Sequence, residues 1–156
     1  MKKYVTKEGF QKLKEEIEKL ESIERVNISR KIAEARDKGD ISENAEYDAA
    51  KEDQEFLEAR IASLKKSFAN AKIIDVSKMD YSKVSILSRV RIKNLNSGDQ
   101  VIYTLVPEEE SNLKMGKISV NSPISSGLLG KKVGEIAHIK LPNGRVIDYE
   151  ILEIFK

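Results

Sequence analysis

Two narrow apolar stripes, one on either side of Gly39, limit the fold of the first half of the chain more than any other feature. Residues 7–74 contain no proline, and good helix formers dominate them. The stripe of the first arm pauses around Glu24, and its members are Phe10, Leu13, Ile17, Leu20, Ile28, Ile32 and Ala35. The stripe of the second arm runs unbroken through Tyr47, Ala50, Gln54, Leu57, Ile61, Leu64, Phe68 and Ala71. Steps of three and four with charges elsewhere indicate a coiled coil.

A single stripe of this kind cannot be buried alone, so each arm needs a partner. The two arms are nearly equal in length, and Gly39 stands where one helix would end and the next begin. We therefore predict an antiparallel hairpin whose arms reach roughly 45 Å. A dimer in which the stripes pair between two chains is the alternative.

The residue pattern of the second half is typical of strands. After a short linker at residues 75–82, β-branched residues appear in short runs, at residues 83–92, 100–106, 116–120, 134–141 and 145–155. Asn143-Gly144 indicates a hairpin turn, and residues 122–130 leave room for one short helix. The predicted fold class is α+β: a coiled-coil hairpin domain at residues 1–75, then a small, mostly antiparallel sheet domain with a short helix at residues 76–156.

Composition excludes several classes of protein. The chain of 156 residues has no cysteine, which rules out disulfides and thiolate metal sites. No stretch approaches the roughly 18 apolar residues of a membrane span. The net charge of +2 does not by itself indicate a polyanionic partner, although 35% of the residues are charged. We expect a cytoplasmic protein with no membrane partner and a large solvated surface.

The segment between the two arms, "KGDISENAEYDAA" at residues 38–50, concentrates carboxylates where the chain is predicted to turn. Asp40 and Glu43 have the spacing of a helix capping box, and Ser42 is an alternative N-cap. Two carboxylates at one turn also suit Mg²⁺, which takes one or two of them and keeps several waters. Such a site becomes useful if it completes a coordination sphere in another macromolecule's active site. The two interpretations do not exclude each other.

Basic residues flank this segment, at Arg25, Arg30, Lys31, Arg36, Lys38 and Lys51. One interpretation is a solvated face whose cations pair with neighbouring glutamates. The other is contact with the phosphates of a strand lying along the coil. His138 has no second histidine or cysteine as a partner, so we expect no metal or catalytic role for it.

A long motif identifies a family that the chain resembles. Residues 32–54, "IAEARDKGDISENAEYDAAKEDQ", contain G-D-x-x-E-N-A-E-Y at 39–47. They resemble the tip region of the GreA/GreB family of bacterial transcript cleavage and elongation factors. The resemblance continues at residues 59–79 and at residues 118–135, and it spans nearly the whole chain. The form Asn121-Ser122-Pro123 is closer to the GreA branch of the family than to the GreB branch.

The resemblance implies a fold and a function. The coiled coil would enter the secondary channel of bacterial RNA polymerase, and an FKBP-like sheet domain would dock at the channel rim. The factor would not be an enzyme. It would stimulate the polymerase's own Mg²⁺-dependent cleavage of backtracked RNA near the 3′ end and so rescue arrested complexes. Mg²⁺ would be held only within the polymerase complex, with none bound tightly to the free protein, which is expected to be a monomer.

The resemblance also assigns roles to residues. Asp40 and Glu43 would be the acids that assist the polymerase active site and share its Mg²⁺. Asn44, Glu46 and Tyr47 would shape the tip. Arg25, Arg36 and Lys51 would contact RNA, and Ser122 and Pro123 would dock on polymerase. The sequence "SSGLLG" replaces an Ala-Arg-containing form, which leaves docking details open. A channel-binding inhibitor of similar shape and a structural coiled-coil adaptor remain alternatives.

Overall fold

The computed structural model describes residues 2–39 and 44–156, and the chain divides into two compact units, Met1–Ile74 and Asp75–Lys156. The first unit is mainly helical. Its elements in chain order are β1 (Lys3–Val5), α1 (Lys7–Lys19), a π-helical segment (Leu20–Glu24), α2 (Arg25–Asp37), α3 (Ala45–Asn70) and β2 (Ala71–Ile73).

The two arms of this unit lie antiparallel. Phe10 near the start of α1 stacks on Phe68 near the end of α3, with ring centroids 4.7 Å apart. Further along, Arg25 pairs with Glu58, and at the far end Lys38 pairs with Glu46. Residue numbers rise along the first arm while those of their partners fall along α3. The predicted hairpin is confirmed, and the arms pair within one chain.

The predicted stripes form the contact between the arms. Seven of their members are buried, namely Ile17, Ile32, Ala35, Ala50, Leu57, Ile61 and Leu64. Tyr47 and Phe68 are half-buried. Burial of an isoleucine or leucine side chain contributes about 1.5–3 kcal/mol relative to leaving it exposed, so this seam is the main source of stability in the hairpin.

The pause in the first stripe coincides with the π-helical segment. Twelve residues separate Leu20 from Ile32, and in a regular α-helix that spacing would carry Ile32 about 120° around the axis. A π turn takes up one extra residue, worth about 100° of rotation. The backbone N–H of Arg25 accordingly bonds to the carbonyl of Leu20, five residues back. The π segment therefore returns the stripe of α2 to the side that faces α3.

The base of the hairpin holds an element that the sequence analysis did not predict. β1 and β2 pair as a two-stranded parallel sheet, with Lys3 opposite Ala71 and Val5 opposite Ile73. Helix α3 thus ends at Asn70, one residue before the last predicted member of its stripe. The pairing joins the start of the first arm to the end of the second.

The second unit is a five-stranded mixed sheet with one short helix, which confirms the α+β class. Its elements are β3 (Arg89–Asn94), β4 (Gln100–Val106), β5 (Lys117–Ser119), α4 (Pro123–Leu128), β6 (Ile136–Lys140) and β7 (Val146–Phe155). The strand order is β5-β4-β3-β7-β6. Three of the pairings are antiparallel, whereas β4 and β5 pair in parallel.

The core of this unit forms between α4 and the sheet. Its fully buried side chains include Ile92, Leu105, Leu128, Ile139 and Ile151. The hairpin between β6 and β7 turns at the predicted place, where Gly144 adopts a φ of 85° and donates to the carbonyl of Leu141 at 2.9 Å.

The strand predicted at residues 83–92 is wrong in its first half. Strand β3 begins only at Arg89. The backbone of Val84 instead bonds to the segment after α4, donating to Lys131 and accepting from Gly130, both at 2.8 Å. Those tertiary hydrogen bonds replace the sheet partners that the β-branched run suggested.

Candidate functional site

The far end of the hairpin begins where α2 stops. Lys38 is the C-cap of α2, and Gly39 follows with a φ of 144°, a value that favours glycine. Helix α3 starts at Ala45, and its N-cap is Asn44, whose side-chain oxygen accepts from the N–H of Tyr47 at 3.1 Å. The interpretation that Asp40 or Ser42 caps the second arm is therefore wrong. Asp40, Ser42 and Glu43 themselves lie outside the described residues.

Asn44 also joins the two arms. Its Nδ2 donates to the main-chain carbonyl of Ala35, in the last turn of α2. One amide side chain thus satisfies a terminal N–H of α3, which a helix leaves without a partner of its own, and gives the carbonyl of Ala35 a second donor beside the N–H of Lys38 at 3.3 Å. An asparagine suits this position because it carries both a donor and an acceptor.

An ion pair closes the same end of the hairpin. Lys38 Nζ lies 2.9 Å from Glu46 Oε2, and this hydrogen bond is the main cause that raises the pKa of Lys38. Both side chains are 64% exposed, so solvent and salt screen the pair. Of the three residues predicted to shape the tip, Asn44 and Glu46 bridge the arms, and Tyr47 donates the capping hydrogen bond.

A shallow groove of about 270 Å³ runs beside this ion pair. Lys31 and Lys38 line it from the first arm, and Glu46 and Asp53 line it from α3, with Ala35 and Ala50 among the small residues between them. The two lysines are seven residues apart, and so are the two acids of α3, which places each pair on one helix face, while Glu34 adds a negative charge to the wall of the first arm. The groove carries both signs of charge and does not suit a polyanion.

The three predicted RNA contacts lie on a different face of the hairpin. Arg25 and Arg36 are eleven residues apart, which is close to three full turns, so both project from one side of α2. Lys51 precedes Glu58 by seven residues on α3, and Glu58 binds Arg25 across the seam. The fold therefore brings Arg25, Arg36 and Lys51 to one edge, away from the groove beside Lys38.

These three cations differ in their partners. Arg25 forms a forked pair with Glu58 and a longer contact with Glu21. Lys51 Nζ donates to Gln54 Oε1 at 2.9 Å. Arg36 is exposed, and within residues 2–39 and 44–156 no carboxylate lies at ion-pair distance from it. The solvated-face interpretation therefore describes Arg25, whereas Arg36 and Lys51 retain charges that no described acid compensates.

The two predicted docking residues begin α4 in the second unit. Ser122 is the N-cap and Pro123 occupies the first helical position, where its missing N–H has no cost. Ser122 Oγ accepts from the N–H of Ser125 at 3.2 Å, and the buried Ser125 hydroxyl donates to the carbonyl of Ser119 at 2.6 Å. This network fixes the segment between β5 and α4.

Sequence reasoning missed the acidic partners across the seam. Glu58 was not singled out, and Glu46 was named only for its place at the tip; each binds a cation of the first arm, and a helical-wheel comparison of the two arms would have paired them. His138 lies on the exposed face of strand β6, where its Nδ1 contacts Asp148 Oδ1 of β7 at 2.6 Å. Among the described residues, no group of three or more histidines or acids is placed to hold a metal ion. Within the same part of the chain, no helix is long and apolar enough to cross a bilayer.

Comparison with known proteins assigns the chain to a family. The family model described as "Transcription elongation factor, N-terminal" matches residues 3–73, and the model described as "Transcription elongation factor, GreA/GreB, C-term" matches residues 79–156. The chain belongs to the GreA/GreB family of transcription elongation factors. Both units are covered, so the relationship extends over the hairpin and the sheet.

Two relatives named as GreA factors agree with this assignment. The chain is 60% identical to transcription elongation factor GreA of Flavobacterium johnsoniae, over 97% of this chain and 95% of the relative. It is 52% identical to GreA of Christiangramia forsetii, over 98% and 96%. Solved structures that match include the GreA factor homolog Gfh1 of Thermus thermophilus, 24% identical with a TM-score of 0.45 over the whole of both chains. A GreA/GreB factor of Nitrosomonas europaea is 27% identical with a TM-score of 0.43, over 62% of this chain and 79% of that one.

Proposed function

We propose that this elongation factor acts on bacterial RNA polymerase by inserting the end of its hairpin into the secondary channel. There it stimulates the polymerase's own hydrolysis of backtracked RNA and is not itself the catalyst. The observation that carries the proposal is the return of the chain at Gly39 and Asn44, which the Asn44–Ala35 and Lys38–Glu46 contacts close. In the sequence, Asp40 directly follows Gly39 and Glu43 directly precedes Asn44.

The proposal gives the two acids a chemical task. Asp40 and Glu43 would supply carboxylate oxygens, the donors that Mg²⁺ prefers, to an ion shared with the polymerase active site. An ion held there would lower the pKa of a bound water and stabilise charge on the phosphodiester oxygens. With only two protein acids, the site would be incomplete in the free protein, so tight binding of Mg²⁺ before docking is not expected.

The described residues would support that task mechanically. A two-stranded helical rod holds its end stiffly, because the buried stripe fixes each arm along the other. Asn44 and Glu46 would set the separation of the arms where the chain returns. Arg36 and Lys51, on one edge, would contact phosphates of the extruded RNA. Ser122 and Pro123, held rigidly at the start of α4, would contribute to docking at the channel rim.

The test uses stalled, backtracked transcription complexes and measures the rate of RNA cleavage with increasing amounts of factor. The double variant Asp40→Asn/Glu43→Gln should retain binding to polymerase and lose stimulated cleavage. Asp48→Asn is the matched control, because Asp48 is an exposed acid in the first turn of α3, and it should behave as the wild type.

Other outcomes separate the alternatives. Undiminished cleavage with the double variant would overturn the roles given to Asp40 and Glu43. Slowed synthesis without cleavage would indicate a channel-binding inhibitor. If the wild-type protein changed neither the rate of RNA cleavage nor the rate of RNA synthesis, the result would indicate a structural coiled-coil adaptor.

A further inference from the structure

A network of four charged side chains spans the arms at the π-helical segment. Arg25 Nε donates to Glu58 Oε1 at 2.9 Å, and its Nη2 donates to Glu58 Oε2 at 3.0 Å. Arg25 Nη1 lies 3.6 Å from Glu21 Oε2, and the other oxygen of Glu21 lies 3.3 Å from Lys65 Nζ. The order is therefore Lys65, Glu21, Arg25, Glu58: the sign of the charge alternates, the outer two residues belong to α3 and the inner two to the first arm. We call these four residues the brace.

The brace sits at the point where the helical register of the first arm changes. Glu21 lies inside the π segment, and Arg25 is the residue whose N–H closes the π turn on Leu20. Its two anchors on α3, Glu58 and Lys65, are seven residues apart and share one face. The brace thus holds both ends of the π turn against one stretch of the opposite helix.

Isolated surface ion pairs add little, but this arrangement differs from them in two ways. The Arg25–Glu58 contact is forked, with two parallel hydrogen bonds that fix orientation as well as distance. The contacts also form a connected network and not separate pairs, which is the case in which surface charges matter. The hydrogen bond with Glu58 is also the main cause that raises the pKa of Arg25.

We propose that Arg25 is a positioning residue of the elongation factor, which locks the register of α2 against α3 through the brace, and that its guanidinium is not an RNA contact. This inference rests on the proposed function. If the π turn relaxed to an α turn, α2 would shift by about one residue, which is about 1.5 Å along the axis and about 100° around it. Both changes would be carried to Gly39, where the chain turns back.

Displacements of that size matter to a reaction that depends on delivered groups. A misplacement of about 1 Å can cost about a hundredfold in rate. The brace lies about 14 residues from Gly39, which is roughly 20 Å along α2, too far for contact with the end of the hairpin. Arg25 would therefore act only through the register of the helix that it holds.

Neutralising the acid partner separates positioning from RNA contact, because the two roles predict opposite effects. Glu58→Gln weakens the brace but frees the guanidinium of Arg25. If Arg25 positions α2, then Glu58→Gln and Arg25→Gln should lower the cleavage rate at saturating factor by a similar amount, about threefold to tenfold. If Arg25 contacts RNA, then Glu58→Gln should leave that rate unchanged or raise it. The matched control is Arg60→Gln, which removes a cross-arm pair with Glu16 at 2.9 Å and leaves the π segment untouched.

A second measurement on the free protein does not depend on polymerase. Hydrogen exchange of the backbone amides of residues 20–28 should quicken several-fold in both Arg25→Gln and Glu58→Gln, and it should not change in Arg60→Gln. Unchanged exchange in Arg25→Gln would contradict the claim that the brace holds the register of α2. Unchanged or faster cleavage with Glu58→Gln would contradict the positioning role of Arg25. A wild-type protein that stimulates no cleavage would contradict the proposed function instead, while the exchange data would still decide whether the brace holds the register.

Discussion

The side-chain amide of Asn44 donates a hydrogen bond to the main-chain carbonyl of Ala35, so the N-cap of the second arm is joined to the last turn of the first arm. The same side chain accepts from the N–H of Tyr47. Closure of the hairpin at this end thus depends on a residue whose two polar atoms perform different tasks, and substitutions can remove them one at a time.

Asn44→Ala should lower the free energy of unfolding by about 2 kcal/mol. About half of the loss comes from the missing N-cap and half from the lost hydrogen bond between the arms, since the carbonyl of Ala35 then keeps only the N–H of Lys38 as a donor. Asn44→Asp should lose less, because a carboxylate still caps α3 and favours its N-terminus. Urea unfolding monitored by circular dichroism measures both. Ser63→Ala, at an exposed position on α3, is the control, and equal stability of Asn44→Ala and wild type would contradict the closing role.

The double variant Arg36→Gln/Lys51→Gln should weaken the RNA-dependent part of cleavage stimulation. Each phosphate contact to a single strand contributes about 0.7 to the slope of log affinity against log salt, so losing two should flatten that slope by about 1.4. The measurement is the apparent affinity of the factor for backtracked complexes between low and high salt. Lys14→Gln/Lys66→Gln removes the same charge near the base of the hairpin and should keep the wild-type slope. An equally steep slope in both variants would show that Arg36 and Lys51 are solvated side chains that make no phosphate contacts.

Gly127→Ala should destabilise the second unit. A methyl group at Gly127 would meet Ile139 Cγ1 of strand β6 at 2.8 Å, closer than real contacts allow. The resulting overpacking should cost about 1–3 kcal/mol and outweigh the helix propensity that alanine gains. Thermal unfolding measures the effect. Ser126→Ala, the exposed neighbour in α4, should be close to neutral, and a stabilised Gly127→Ala would show that α4 can move away from the sheet.

Asp80 should contribute a pH-dependent increment to stability. Its carboxylate accepts hydrogen bonds from the hydroxyl and the N–H of Ser82, and these lower the pKa of Asp80. A carboxyl group whose pKa is depressed on folding stabilises the protein above its unfolded pKa of about 3.9, and the contribution disappears as the pH falls through the folded value. The gap in melting temperature between wild type and Asp80→Ala should be constant from pH 5 to 7 and close below about pH 3.9. A gap that persists at lower pH would show that the hydrogen bonds do not depend on the charge.

Local patterns predicted most of the helical unit, because burial in a hairpin of two helices follows the spacing of apolar residues. The stripes around Ile32 and Leu57 became the seam, and Gly39 marks the end of the first arm. The stripe also shows the pause that the π segment occupies, but spacing alone did not specify a π turn. The misplaced start of strand β3 has a similar cause, since the partners of Val84 are distant in sequence.

The sequence likewise predicted some features of the candidate site and not others. A nine-residue motif at 39–47 pointed to the family, to the acids Asp40 and Glu43 and to the residues around them. It did not reveal that Asn44 and not Asp40 caps α3, because the spacing of residues fits either start of the helix. It also left the use of each cation open, because a lysine or arginine on an exposed helix face pairs with whatever acid the other arm presents.

The sequence by itself determined which residues are buried between the arms and where the chain turns back, because helical periodicity is a property of a single segment. Only the tertiary structure decided which charges meet across the seam. Arg25 faces Glu58 because the π turn, the antiparallel return and the pairing of β1 with β2 together fix the register of the two arms. A register relates two segments, and neither segment contains it alone.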